Sequence, residues 1–334
     1  MKQVPTWGLT EHQFGNIGRM RPILDGDDYG PFAANMVGSV LDFGQEFRAR
    51  YSNSPESGSL ADLEINHSQE RASDGRPWPA EQAMRPYDVA GGLLVTAIGH
   101  YLGSLQSLLL PEMTLFGFQA VTRSAIEGAT RAAWVLDPAI SARQRMVRDL
   151  LLELQSIEEA RRVELAAGGD ESNYDRQMLG LRVRVATLGI DEYYGKKNAS
   201  SPGSLPRREP IGFDGQVLPT MTDAVAAFLP HIGVAHGEMC YRALAGVSHS
   251  LLYGVTTYLT GVRIEGSATR VIPTPELPIQ TIANAVAISI AGYLAVVERH
   301  ALLWGRDAAG VKAKRFGAVG ELLSAIKQSE HRIV

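Results

Sequence analysis

A single cysteine, Cys240, is the only thiol in this chain of 334 residues. That excludes an internal disulfide framework and any zinc site built on paired Cys-x-x-Cys ligands. It suits a reducing cytoplasm. An excess of one charge is also missing: 32 Lys and Arg against 36 Asp and Glu leave a net charge of -4. No global field therefore draws the chain toward nucleic acid or an anionic membrane, and any anion-binding surface must be a local patch. The N-terminus lacks the apolar core of a signal peptide. There is no Walker loop, no Gly-x-Gly-x-x-Gly after a strand and no Gly-x-Ser-x-Gly elbow. Strand periodicity is scarce as well, which leaves an all-α reading.

What is present is long helical periodicity in an ordinary globular composition, 45% hydrophobic and 20% charged. The first helix spans 31–51, with Phe32, Met36, Val40, Phe43 and Phe47 at three- and four-residue steps. From Ser52 to Tyr87 the chain is rich in Ser, Pro and Asp and reads as an irregular connection. Helices are expected over 88–110, 113–136, 141–167 capped by Ser141, 172–188, 221–232, 236–260, 276–304 and 308–328. Residues 195–220 read as a long loop or flap, and 261–274 as a short β excursion. The organisation is thus an irregular N-terminal region, 1–87, ahead of a helical bundle domain, 88–330. Gly91–Leu110 and Ile279–Val297 approach the length of a membrane span, but their small and polar residues favour buried bundle helices over membrane contact.

Two helices carry the candidate chemistry. The segment 113–136 holds Arg123, Glu127 and Arg131 at four-residue steps, one carboxylate between two guanidiniums on one face. The segment Glu238–Tyr253 places Arg242 and His249 about two turns apart on a common face. Tyr241, Ser248 and Tyr253 flank that stripe. Facing each other, the two helices would form a polar seam in which Glu127 pairs with Arg242 or orients His249. One alternative is a hydrogen-bonded network that only specifies packing. Basic clusters at Lys196/Lys197, Arg207/Arg208 and Lys312/Lys314/Arg315 read as solvated faces able to guide an RNA backbone. His231, His236, Glu238 and Cys240 offer metal-ligand types, but no second ligand group accompanies them, and no metal or cofactor is expected.

The run Arg123-Ser-Ala-Ile-Glu-Gly-Ala-Thr-Arg-Ala-Ala-Trp-Val-Leu-Asp-Pro138, with Tyr241-Arg-Ala-Leu-Ala-Gly-Val-Ser-His249, resembles a group of uncharacterised actinobacterial helical proteins over about 90–305. More remotely, Arg242-x6-His249 is similar to the Arg-x4–6-His signature of HEPN domains. That likeness implies a dimerising helical bundle and metal-independent RNA binding or cleavage. By it, His249 would act as general acid or base. Arg242 would stabilise the transition state, and Glu127 would hold the arginine. Arg123, Arg131, Tyr241, Ser248 and Tyr253 would contact the substrate. The sequence departs from the pattern at Ala243, where active members usually carry a polar residue, and at Tyr253, four residues after the histidine instead of two. Two other functions stay open: a small-molecule ligand or substrate held between helices, and a non-catalytic scaffold. The expected setting is a cytoplasmic homodimer.

Overall fold

The computed structural model describes residues 29–50, 54–109, 117–194, 210–234, 237–248, 259–262, 272–275 and 279–331. They form an all-α helical bundle with two very small sheets. The bundle is built from α1 (Tyr29–Arg50), α4 (Val95–Leu108), α5 (Gly117–Val135), α8 (Met221–His231), α9 (Gly237–Ser248), α10 (Ile279–Leu303) and α11 (Ala308–His331). Around α10 pack α1, α4, α5 and α11, while α8 and α9 cover α5 from another side. Of the α1 stripe, Met36, Val40 and Phe47 are buried, and Phe32 and Phe43 pack half-buried against the same core. Small residues bring α4, α5 and α10 close together. A Cβ on Gly292 would lie 3.2 Å from that of Ala129, and one on Gly128 would lie 3.1 Å from Ile98.

Helix α10 is the one described helix long and apolar enough to cross a membrane. Its most apolar window is 78% buried within the fold, as a core helix would be. The other apolar stretch runs without a break through a π-helical turn, Asp88–Leu94, into α4.

The 52–87 stretch is more ordered than its composition suggests. It contains α2 (Leu60–Asn66), capped by Ser59, and α3 (Ala80–Tyr87). Between them Arg71 bridges Pro77. Ala61, Ile65, Ala83 and Tyr87 enter the same core as the bundle helices. Local composition hid this because the stabilising contacts are tertiary and lie far away in sequence.

A second core lies between α6 (Ala142–Ala166) and α7 (Ser172–Thr187), with Trp78, Leu150, Met178, Leu181 and Phe213 buried in it. Ser141 caps α6 as expected, in a reciprocal capping box with Gln144. Gly168 follows its C-terminus at φ +79°. Strands β1 (Glu192–Tyr193), β2 (Gly212–Phe213) and β3 (Gln216–Val217) form an antiparallel sheet beside this core. The β2–β3 turn is Asp214-Gly215, both at positive φ, as a two-residue hairpin requires. The expected loop 195–220 therefore ends in a hairpin, and residues 195–209 lie outside the described set. The β excursion predicted over 261–274 is a ribbon of β4 (Leu259–Val262) and β5 (Ile272–Pro275). Helix α9 is described only to Ser248, and Leu259 and Thr260, expected at the end of that helix, are in β4.

Charge ties the two cores together. Arg85 on α3 binds Asp149 at 2.6 Å and also Glu153, which in turn receives Arg184 of α7. Burial of the Asp149 carboxyl outweighs the attraction of Arg85 and raises its pKa above the ordinary carboxylate range.

The C-terminus of α5 is closed by arginines. Arg299 donates to the Ala133 carbonyl, Arg148 to that of Trp134, and Arg145 to that of Val135 at 2.8 Å. Those carbonyls have no acceptor role left inside the helix, and Pro138 prevents its continuation. Cations there also complement the helix dipole. This arginine-filled corner, where α5 turns into α6 beside α10, positions the site described next.

Candidate functional site

Glu127 does not reach Arg242. Its Oε1 accepts from Arg123 Nε at 2.8 Å on the same helix, and from the Tyr241 hydroxyl at 2.7 Å across the α5–α9 contact. The Arg123 guanidinium also lies over the Tyr241 ring, 5.6 Å from its centroid. The predicted seam between these helices thus exists, with Tyr241 in the place expected for Arg242. The reason is helical geometry: neighbouring residues are about 100° apart around the axis, so turning Tyr241 inward turns Arg242 outward. Tyr241 is 3% exposed, and Arg242 pairs with Glu238 on its own helix at 2.8 Å in open solvent.

The electrostatics of this seam are those of a satisfied network. Burial raises the Tyr241 pKa, and its bond to Glu127 raises it further. Burial opposes the charge on Arg123, yet its contacts with Tyr241 and Glu127 outweigh that and raise its pKa. Arg131 does not join the ladder: it makes no bond to Glu127 among the described residues, and its buried Nε lacks a hydrogen-bond partner. His249, Tyr253 and the Ser248 side chain lie outside the described residues. Of the predicted set, the structure therefore brings together Arg123, Glu127 and Tyr241, and it separates Glu127 from Arg242.

A cavity of about 450 Å³ opens elsewhere, between α8, α10, α11 and the α5–α6 corner. Phe228, Ile232 and Ala295 form part of its apolar lining, with Leu302, Ala309 and Lys312 exposed at its mouth. His231, Asp137, Glu298, Arg299 and Arg315 supply the polar groups. The basic cluster of α11 is thus divided and is not the solvated face expected from sequence. Lys312 stays exposed, Lys314 lies over the Phe43 ring at 6.0 Å, and Arg315 is only 7% exposed.

Arg315 Nη1 lies 3.2 Å from Glu298 Oε2, within ion-pair distance. Neither Glu298 Oε2 nor Arg315 Nε makes a hydrogen bond. Arg299 sits 5.9 Å over the Phe228 ring, and among the described residues no carboxylate lies within ion-pair distance of it. Burial lowers the pKa of both Arg299 and Arg315; Asp137 and Glu298 offset part of this at Arg299, and Glu298 at Arg315, while the charge of Arg315 adds to the lowering at Arg299. These guanidiniums remain charged at any physiological pH, so the direction of the shift shows that burial outweighs the nearby carboxylates.

Sequence reading missed this cavity because its polar groups come from three separate helices and the α5–α6 turn. A weak signal existed: Glu298-Arg299-His300 interrupts an otherwise apolar helix, and Lys312 and Arg315 are one turn apart on the next. Comparison of the chain with protein-family models, curated proteins and solved structures gives no match.

Proposed function

We propose that this chain is a small-molecule-binding helical bundle whose ligand sits between α8, α10 and α11. The observation that carries the reading is the cavity itself: about 450 Å³, apolar along part of its wall, with buried Arg315 and half-buried Asp137, Glu298 and Arg299 lining it. That combination is the usual make-up of a ligand site between helices of a bundle. Ligand-observed NMR with a fragment set of neutral, cationic and anionic compounds tests it. Ala309 is exposed at the mouth, so Ala309→Trp obstructs entry without disturbing the core. Fragments should bind the wild type and lose their signal with Ala309→Trp; equal binding to both proteins would end the reading.

RNA binding or metal-independent cleavage at Arg242 and His249, which the HEPN likeness implies, is the second reading. It is favoured by one observation, that the Arg242 side chain is 63% exposed and its pair with Glu238 lies on the same exposed helix face. A phosphate can compete with such a pair, because exposed ion pairs contribute little. The test is cleavage of a mixed RNA pool in EDTA. Wild type should cleave, and folded Arg242→Ala and His249→Ala should not; an inactive wild type removes this reading.

A further inference from the structure

Resting on the ligand-binding reading above, we infer that the cavity of α8, α10 and α11 takes a small organic anion of the phosphate monoester class. The argument begins with charge. Five charged residues line the cavity: Arg299, Lys312 and Arg315 against Asp137 and Glu298. Glu298 faces Arg315, and Asp137 faces Arg148 at 3.5 Å. Arg299 and Lys312 have no carboxylate within ion-pair distance among the described residues. Although Asp137 and Glu298 act on Arg299 from further off, the wall keeps a net positive charge, which suits an anion. Arg315 is buried and Arg299 half-buried, and an anionic ligand compensates partly desolvated cations where a neutral one does not.

Hydrogen bonding points the same way. Arg315 is more than nine-tenths buried at the cavity wall; its Nε, which has no acceptor, is sealed off from the cavity, so the side chain contributes its charge there. Arg299 spends one amino group on the Ala133 carbonyl, and its remaining donors are unclaimed by the described residues. Guanidiniums bind phosphate oxygens through such paired N–H groups. The first turn of α11 also borders the cavity through Ala308 and Ala309, adding the positive end of a 24-residue helix. His231, at the end of α8, is placed at the wall as a further donor. The apolar surface of Phe228, Ala295 and Leu302 then fits the organic part of the ligand, since the cavity is larger than phosphate alone requires.

Glu298 gives the inference its sharpest test. In the unliganded protein it is the anion nearest Arg315, so a bound phosphate must compete with it. Glu298→Gln removes the competing charge and leaves the shape. Titration calorimetry on the full chain would use phenyl phosphate, inorganic phosphate, succinate and phenol as probes. Phenyl phosphate should bind, with affinity falling as salt rises. Arg299→Gln should weaken it by about tenfold or more, the worth of one charge-assisted hydrogen bond, and Arg299→Lys by less. Glu298→Gln should tighten it by about threefold to tenfold, as removal of a nearby like charge does. A merely structural Arg315–Glu298 pair would give unchanged or weaker binding with Glu298→Gln, and that result overturns the proposal. Succinate binding in place of both phosphates overturns the phosphate class. If neutral fragments bind in the manner that Ala309→Trp blocks while phenyl phosphate does not, this inference fails and the ligand-binding reading stands. If nothing binds, both fail.

Discussion

Arg145→Ala should destabilise the protein by about 3–5 kcal/mol, the usual consequence of removing one partner of a buried ion pair. Arg145 has no solvent exposure. Its Nε donates to Glu64 at 3.1 Å, Nη1 to the carbonyls of Val135 and Asp137, and Nη2 to that of Ile140 at 3.5 Å. Its guanidinium also covers the Tyr87 ring at 5.3 Å. The alanine variant leaves Glu64 with the Tyr87 hydroxyl at 2.6 Å as its remaining hydrogen-bond donor. It also leaves the end of α5 and the following turn without their shared donor. Glu64→Gln is the control: the amide oxygen still accepts from both partners, and Arg145 keeps its three carbonyls, so the loss should be much smaller. Urea denaturation monitored by circular dichroism measures both. A loss below about 1 kcal/mol for Arg145→Ala, the range of an exposed pair, would mean that this arginine does not hold the corner. The corner matters beyond stability, because Arg145, Arg148 and Arg299 cap successive carbonyls of one helix end. Arg299 is held there with its remaining donors beside the cavity.

The all-α class and most helix limits were legible because helices announce themselves locally. Ser141 and Gln144 form the capping box that their spacing suggests, and the Phe32–Phe47 stripe faces the core as its period requires. The Asp214-Gly215 hairpin was equally local, yet it was obscured by the Gly- and Pro-rich stretch that precedes it. The candidate site was legible only in part. Helical spacing showed which residues share a face with Glu127, but it could not tell which face of α9 turns toward α5. A single residue of rotation decides between Tyr241 and Arg242, and burial of the large aromatic ring favours Tyr241 by more than an exposed arginine has to offer. The cavity of Arg299 and Arg315 was less legible still. Nothing in a sequence states that an arginine in an apolar helix will meet the end of a helix more than a hundred and fifty residues earlier.

Trp78→Ala should cost about 3–5 kcal/mol, as large-to-small changes at buried aromatic positions do, although Trp78 sits in a stretch that reads as a connection. The indole is 3% exposed among the residues of the second core. Its Nε1 donates to the carbonyl of Leu188 at 3.0 Å, at the end of α7. Nearby, the Ser73 amide donates to the Thr187 carbonyl, also at 3.0 Å. The segment therefore clasps the C-terminus of α7, satisfying carbonyls the helix leaves open, and the indole fills the space between α6 and α7. Trp78→Phe separates the two roles. It keeps most of the apolar volume and loses the bond to Leu188, so it should cost nearer 1–2 kcal/mol, the worth of one buried acceptor left unmet. Hydrogen exchange locates the effect. Because Trp78 belongs to the α6–α7 core and not to that of α10, protection should fall first in α7 and the β1–β3 sheet while α10 keeps its slow amides. Uniform loss across both cores would show instead that they unfold as one unit, and that the charge network of Arg85, Asp149, Glu153 and Arg184 couples them more strongly than their separate apolar clusters divide them.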